Sequence, residues 1–207
     1  MPLTHRYLNE LNLIEEEQVF CGQPINVQSN ILIIGTFNPS NNSCLKQNNS
    51  TWFYGRNKSN FWRYFPTSLT GVSMHPLDNH IGYPNTWKNY CVENKIVIID
   101  LIKEIQSNNL LENFGDKNVN DRISENLANT TYFNINNAFN NIKFNRVIYS
   151  LKWTEFQLHK LISIRDIVSN QLINCGCIDN LNQIKYSLTP SRNDQKTIDS
   201  WNDGVNG

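Results

Sequence analysis

Four short apolar runs punctuate an otherwise polar chain: "ILIIG" from Ile31, "KIVIIDLI" from Lys95, "RVIYSL" from Arg146 and "IKYSLT" from Ile184. The first three are unbroken and rich in isoleucine and valine, as expected of strands covered on both faces. The intervals between them are long enough for helices. "SNFWRYFPTSL" opens with Ser59, suited to an N-cap, and Pro66 is expected to end that helix after a turn or two. Residues 118–139 read as one or two helices, and 153–170 carry an apolar stripe at helical spacing. A short C-terminal helix over 193–204 is expected to end at Gly204. Strands alternating with helices predict a layered α/β domain around a mostly parallel, four-stranded sheet. The whole chain, 1–207, reads as one domain without repeat or linker.

In such sheets ligands lie beyond the carboxyl ends of the strands. Two segments with unusual chemistry fall there: "GTFNPSN" after the first run and "LTPSRND" after the last. The single Gly35 does not make a dinucleotide-binding loop, and Pro39 has no N–H to offer a phosphate. Proline instead fixes the backbone and biases Asn38 away from helical geometry. A plain strand-ending turn fits the same residues.

The formal net charge is zero, and only 17% of residues are charged. Yet residues 18–77 contain no Asp or Glu, while Lys46, Arg56, Lys58 and Arg63 fall within them. That distribution fits a basic face for nucleic acid and fits a solvated surface equally well. "TWFYGRNKSNFWRYF" adds aromatics beside these cations, the ingredients of a base-stacking platform. Five dispersed cysteines suit reduced thiols, and Cys175-Gly-Cys177 has no second pair at metal spacing. His75 and His80 read as loop histidines. No run approaches the ~18 apolar residues of a membrane span, and the first 17 residues do not resemble a signal peptide; a cytoplasmic protein is the expectation.

A strand ending in Gly-x-x-Asn-Pro-Ser, a loop with "FYG" and a helix opened by "NFW" resemble the first motif of the uracil-DNA glycosylase superfamily. The likeness is greatest to the mismatch-specific uracil and the hypoxanthine (deoxyinosine) glycosylases. "KIVIIDLIKEIQS", "RVIYSLKW" and "LTPSRN" follow in the order of that group's further motifs, so the resemblance spans 31–193. It implies a three-layer αβα fold and a monofunctional hydrolase that flips a deaminated base, uracil or hypoxanthine, out of DNA and cleaves its N-glycosidic bond.

Carried over by position, the resemblance makes Asn38 the residue that orients the attacking water through its carbonyl. Tyr54, with Phe53 beside it, stacks on the flipped base. The backbone around Thr36 and Phe37 reads the base edge, and Ser59 or Asn60 occupies the position of a base-contacting asparagine. Arg56 and Lys58 face DNA, Thr189, Pro190 and Ser191 press the strand, and Arg192 is the wedge. The loop has one residue more between Gly35 and Pro39 than the Gly-Ile-Asn-Pro type, and Thr189 stands where some families have histidine. No metal or cofactor is implied, and the expected partner is damaged or mismatched DNA, with no obligate protein partner. The alternatives are a non-catalytic base- or nucleotide-binding module of the same fold and a hydrolase of a small nucleoside-like substrate.

Overall fold

The computed structural model describes residues 2–56, 59–78, 82–113, 115–125, 127–150, 159–188 and 194–207. Its elements run β1 (Pro2–Thr4), α1 (Leu8–Glu17), β2 (Val19–Phe20), β3 (Gln23–Pro24), β4 (Gln28–Gly35), α2 (Phe61–Thr70) and α3 (Asn85–Glu93). They continue with β5 (Ile96–Asp100), β6 (Ile102–Gln106), α4 (Asp116–Glu125), β7 (Thr130–Tyr132) and α5 (Ile135–Ala138). The chain closes with β8 (Lys143–Tyr149), α6 (His159–Asn174), β9 (Ile184–Tyr186) and α7 (Gln195–Asn206).

The central sheet has the order β5-β4-β8-β9 and every pairing in it is parallel. All five residues of β5 and the last five of β4 are buried, which is why those runs are apolar without alternation. Helix α2 packs on α7, and α7 lies against β8 and β9; α1, α5, α6 and α4 pack on one another in succession. The sheet with its helices is the α/β arrangement expected from the pattern of apolar runs.

A second, antiparallel sheet has the order β1-β6-β7. It divides "KIVIIDLI": β5 stops at Asp100, and from Ile102 the chain pairs with β1 and β7 instead. The switch is fixed by the Gly35–Ser43 loop, because the N–H groups of Leu101 and Ile102 donate to the carbonyls of Gly35 and Thr36. Residues 118–139 are likewise more varied than helices alone, with β7 between α4 and α5.

Two helix ends differ from expectation for identifiable reasons. Pro66 does not stop α2, which continues to Thr70. A proline at 66 leaves the carbonyl of Trp62 without its helical donor. The N–H of Met74, on the segment returning past the helix, donates to that carbonyl at 2.7 Å. Gly204 does not stop α7 either. A Cβ there would lie only 2.4 Å from the Ser187 hydroxyl oxygen, so glycine allows the helix to lie close to the end of β9. Of the stripe predicted over 153–170, α6 begins at His159 and extends to Asn174, while 153–158 lie outside the described residues. Asn60, not Ser59, is the N-cap residue of α2, although the Ser59 hydroxyl accepts the Phe61 N–H at 3.3 Å.

Candidate active site

The carboxyl ends of β4, β5 and β8 are level. Gly35 is in register with Asp100, and the Ser150 N–H donates to the Ile34 carbonyl. A side chain at Gly35 would collide with the Asp100 carboxylate and stand 2.5 Å from the Tyr54 hydroxyl. The absence of a Cβ therefore lets two polar groups from distant segments meet over the strand end.

Asp100 is nearly buried, and its Oδ2 lies 2.8 Å from Nε2 of His5, whose side chain is wholly buried. The Tyr7 N–H donates to Nδ1 of the same ring at 3.0 Å. Nδ1 therefore carries no proton, Nε2 carries it, and a neutral histidine donates a charge-assisted hydrogen bond to the carboxylate. The N-terminal segment that brings His5 here is anchored on the Asn-Pro-Ser loop. His5 forms an antiparallel bridge with Pro39, and the Arg6 N–H donates to the Asn38 carbonyl. The Ser40 N–H donates to the Thr4 carbonyl, and the Ser40, Ser43 and Thr4 hydroxyls interlock at 2.8–3.1 Å. The proline-serine pair after Asn38 thus docks a strand edge, which a phosphate loop would not do.

Asn38, 7% exposed, is braced from the other side by residues 48–56. Its Oδ1 accepts from Asn48 Nδ2 at 2.5 Å and from an Arg56 guanidinium nitrogen at 3.0 Å. The same Asn48 nitrogen donates to the Pro39 carbonyl, and Arg56 Nε donates to Asn48 Oδ1. A guanidinium has no acceptor, so the atoms facing it must be the amide oxygens of both asparagines. With two donors on it, the Asn38 carbonyl has both lone pairs occupied. Only its N–H remains to face a ligand, in contrast to the carbonyl role implied by the resemblance.

Tyr54 has a left-handed backbone, φ 56°, and stacks on Phe61 with ring centroids 4.2 Å apart at 20°. Its hydroxyl donates to Ser150 Oγ at 2.6 Å, and burial pushes its pKa well up, so it stays a neutral donor. Phe53, 1% exposed, is a core side chain packed among His5, Tyr7 and Trp52. Ser59 is taken up by the start of α2, and the Asn60 side chain accepts from Arg63. Neither is joined to Asn38 or Tyr54 by a hydrogen bond. The rings and side chains of Thr36 and Phe37 are nearly buried, and among the described residues their N–H groups donate to no acceptor. Lys58, Thr189, Pro190, Ser191 and Arg192 lie outside the described residues, as does His80.

The acid-free stretch of sequence does not give an acid-free site. Asp100 arrives from β5 and Asp116 from the first residue of α4, and both act on the Arg56 guanidinium. Burial raises the Asp116 carboxyl above the ordinary carboxylate value. The Asp100 charge adds to that rise, while hydrogen bonding to the Thr36 side chain and the Arg56 charge oppose it. Arg63 is engaged elsewhere, with Asp78, and Lys46 is exposed. Four residues of the site, His5, Asn48, Asp100 and Asp116, carried no functional expectation from sequence. Asp100 alone had a visible signal, as the acid interrupting an apolar run. Comparison with protein-family models, with curated proteins and with solved structures finds no match.

Proposed function

We propose that the chain is an N-glycosyl hydrolase acting on a deaminated base in DNA, in the manner of the uracil-DNA glycosylases its motifs resemble. One observation carries this reading. Tyr54, fixed by Phe61 and Ser150, borders a strand end where, among the described residues, the N–H groups of Thr36 and Phe37 meet no acceptor. A planar aromatic beside edge-directed backbone donors suits a nucleobase turned out of its stack. Unpaired N–H groups on nearly buried residues are rare unless a ligand or water completes them. The four-stranded parallel sheet is of the kind the resemblance implies, and the site lies at its carboxyl ends.

Chemically, the site offers Arg56 and the Asn38 amide N–H as donors and two carboxylates as acceptors. Cleavage of a glycosidic bond with an oxocarbenium-like sugar needs negative charge near the sugar and donors near the departing base. The experiment is product formation from oligonucleotides carrying one uracil, hypoxanthine or xanthine, in single and double strands, with abasic sites cut by alkali. A shortened strand for one base supports the reading; intact strands for every base overturn it.

Asp100 and Asp116 favour a second reading, hydrolysis of a small nucleoside, because carboxylates repel a phosphate backbone. Added salt separates the two: affinity for DNA falls steeply as phosphate contacts are screened, whereas a neutral nucleoside is indifferent.

A further inference from the structure

We infer that Cys175 and Cys177 are a redox-active dithiol, a modification site that closes into a disulfide across Gly176 when the protein meets a small-molecule disulfide such as oxidised glutathione. The inference stands apart from the glycosidase reading. The pair follows α6 and is tied to the start of β8 by the Phe144 N–H, which donates to the Cys177 carbonyl, whereas the candidate active site lies at that strand's other end. Helix α6 closes in a Schellman cap. The Gly176 N–H donates to the Ile173 carbonyl and the Cys177 N–H to the Leu172 carbonyl, both at 2.9 Å. Gly176 takes the left-handed backbone that the cap requires, φ 73°, and a Cβ there would meet nothing within 4 Å, so conformation and not crowding calls for glycine. The cap sets its two flanking cysteines side by side, with the sulfurs 2.8 Å apart.

That spacing chooses between the two chemistries open to a cysteine pair. Tetrahedral zinc holds thiolate sulfurs at about 2.3 Å and therefore about 3.8 Å from each other. Sulfurs at 2.8 Å are too close to share it, and among the described residues no third His, Cys, Asp or Glu completes a ligand group. A disulfide needs the same sulfurs to approach by less than about 1 Å. Exposure assigns the roles. Cys175 is partly exposed, whereas Cys177 is wholly buried, its sulfur 3.4 Å from the Phe139 carbonyl oxygen. The Cys175 thiolate bonds to one sulfur of the small disulfide, whose S–S bond breaks and releases the first thiol. Cys177 then gives up its proton to solvent, and its sulfur bonds to that of Cys175 as the mixed disulfide breaks and the second thiol leaves. Two cysteine thiols have lost two electrons and two protons, and the small disulfide has taken up both. Burial, and after it the hydrogen bond with Cys175, push the Cys177 thiol upward, in keeping with its part as the second sulfur. Cys21, the other partly exposed cysteine, has its thiol pushed up to about 12 by burial, which makes it a slow competitor.

The test is incubation of the full chain with oxidised glutathione at mildly alkaline pH, followed by an acid quench, alkylation of the remaining thiols under denaturing conditions and peptide mapping by mass spectrometry. The wild type should lose the Cys175 and Cys177 thiols together, in one peptide lighter by two hydrogens, and dithiothreitol should restore both. Cys177→Ser should stop at a glutathione adduct on Cys175. Cys175→Ser should leave Cys177 reacting more slowly by roughly tenfold or more, because the remaining thiol is buried. A wild type in which both thiols stay open to alkylation overturns the inference. So does an adduct that persists on Cys175 of the wild type, or a bond from either cysteine to Cys21, Cys44 or Cys91. Should a variant fail to fold, the wild-type peptide map decides by itself.

Discussion

His5 and Asp100, ninety-five positions apart, are joined by a buried 2.8 Å hydrogen bond that ties the N-terminal segment to the end of a central strand. The Tyr7 N–H holds the ring in the tautomer that donates to the carboxylate. The same segment carries the bridge from His5 to Pro39, so this contact supports one side of the Asn38 loop. His5→Ala should therefore destabilise the protein by roughly 2–3 kcal/mol, since it leaves a nearly buried carboxylate without its donor. Urea denaturation at pH 7 measures this. A loss under ~0.5 kcal/mol, the scale of an ordinary surface substitution, would show that the carboxylate finds another partner.

Away from the site, Asp78 provides a pH-dependent contribution whose sign is fixed. Arg63 binds both of its oxygens, at 3.0 and 3.1 Å, and the Ser73 hydroxyl donates to one of them. Together, Arg63 first, they draw the carboxyl down to about 2 from an ordinary 3.8. A carboxyl with a depressed folded pKa stabilises the fold above its unfolded value, and that contribution disappears as pH falls through the folded one. Asp78→Asn should thus be less stable than wild type near neutrality. About 1 kcal/mol is the expected scale, because both side chains are roughly a third exposed to solvent. The gap should stay constant above pH ~5 and close as the pH falls from about 4 to about 2. Parallel denaturation curves at both extremes would refute the assignment.

The strands that form the central sheet were legible because burial on both faces leaves an uninterrupted apolar run, as in Ile31–Ile34 and Ile96–Ile99. Asn38 was legible because a proline after a strand-ending polar residue is a strong local constraint. The remainder of the site depends on contacts that leave no periodic trace. A three-residue strand such as β1 is too short for any pattern, so the role of His5 was invisible. Asn48 is one asparagine among many in "NNSCLKQNNS", and only the fold reveals that it bridges Asn38 to Arg56. The continuation of α2 past Pro66 depends on Met74, eight residues later, which no helix-propensity rule anticipates.

Arg56 separates charge from geometry in the site. Its Nε bonds Asn48 at 3.3 Å and a terminal nitrogen bonds Asn38 at 3.0 Å, so the guanidinium fork holds two amide oxygens at once. Lysine keeps the positive charge on which Asp100 and Asp116 act but cannot reproduce the fork. Arg56→Lys should free one lone pair of the Asn38 carbonyl and let the amide turn. A lost charge-assisted hydrogen bond costs about 1.5–3 kcal/mol, so base release should slow by roughly tenfold or more. The salt dependence of DNA binding should be unchanged, because it reports the number of phosphates neutralised and the formal charge is retained. A variant with the wild-type rate would mean that Arg56 acts as a charge alone, and the bracing of Asn38 would then be a feature of folding, with no part in base release.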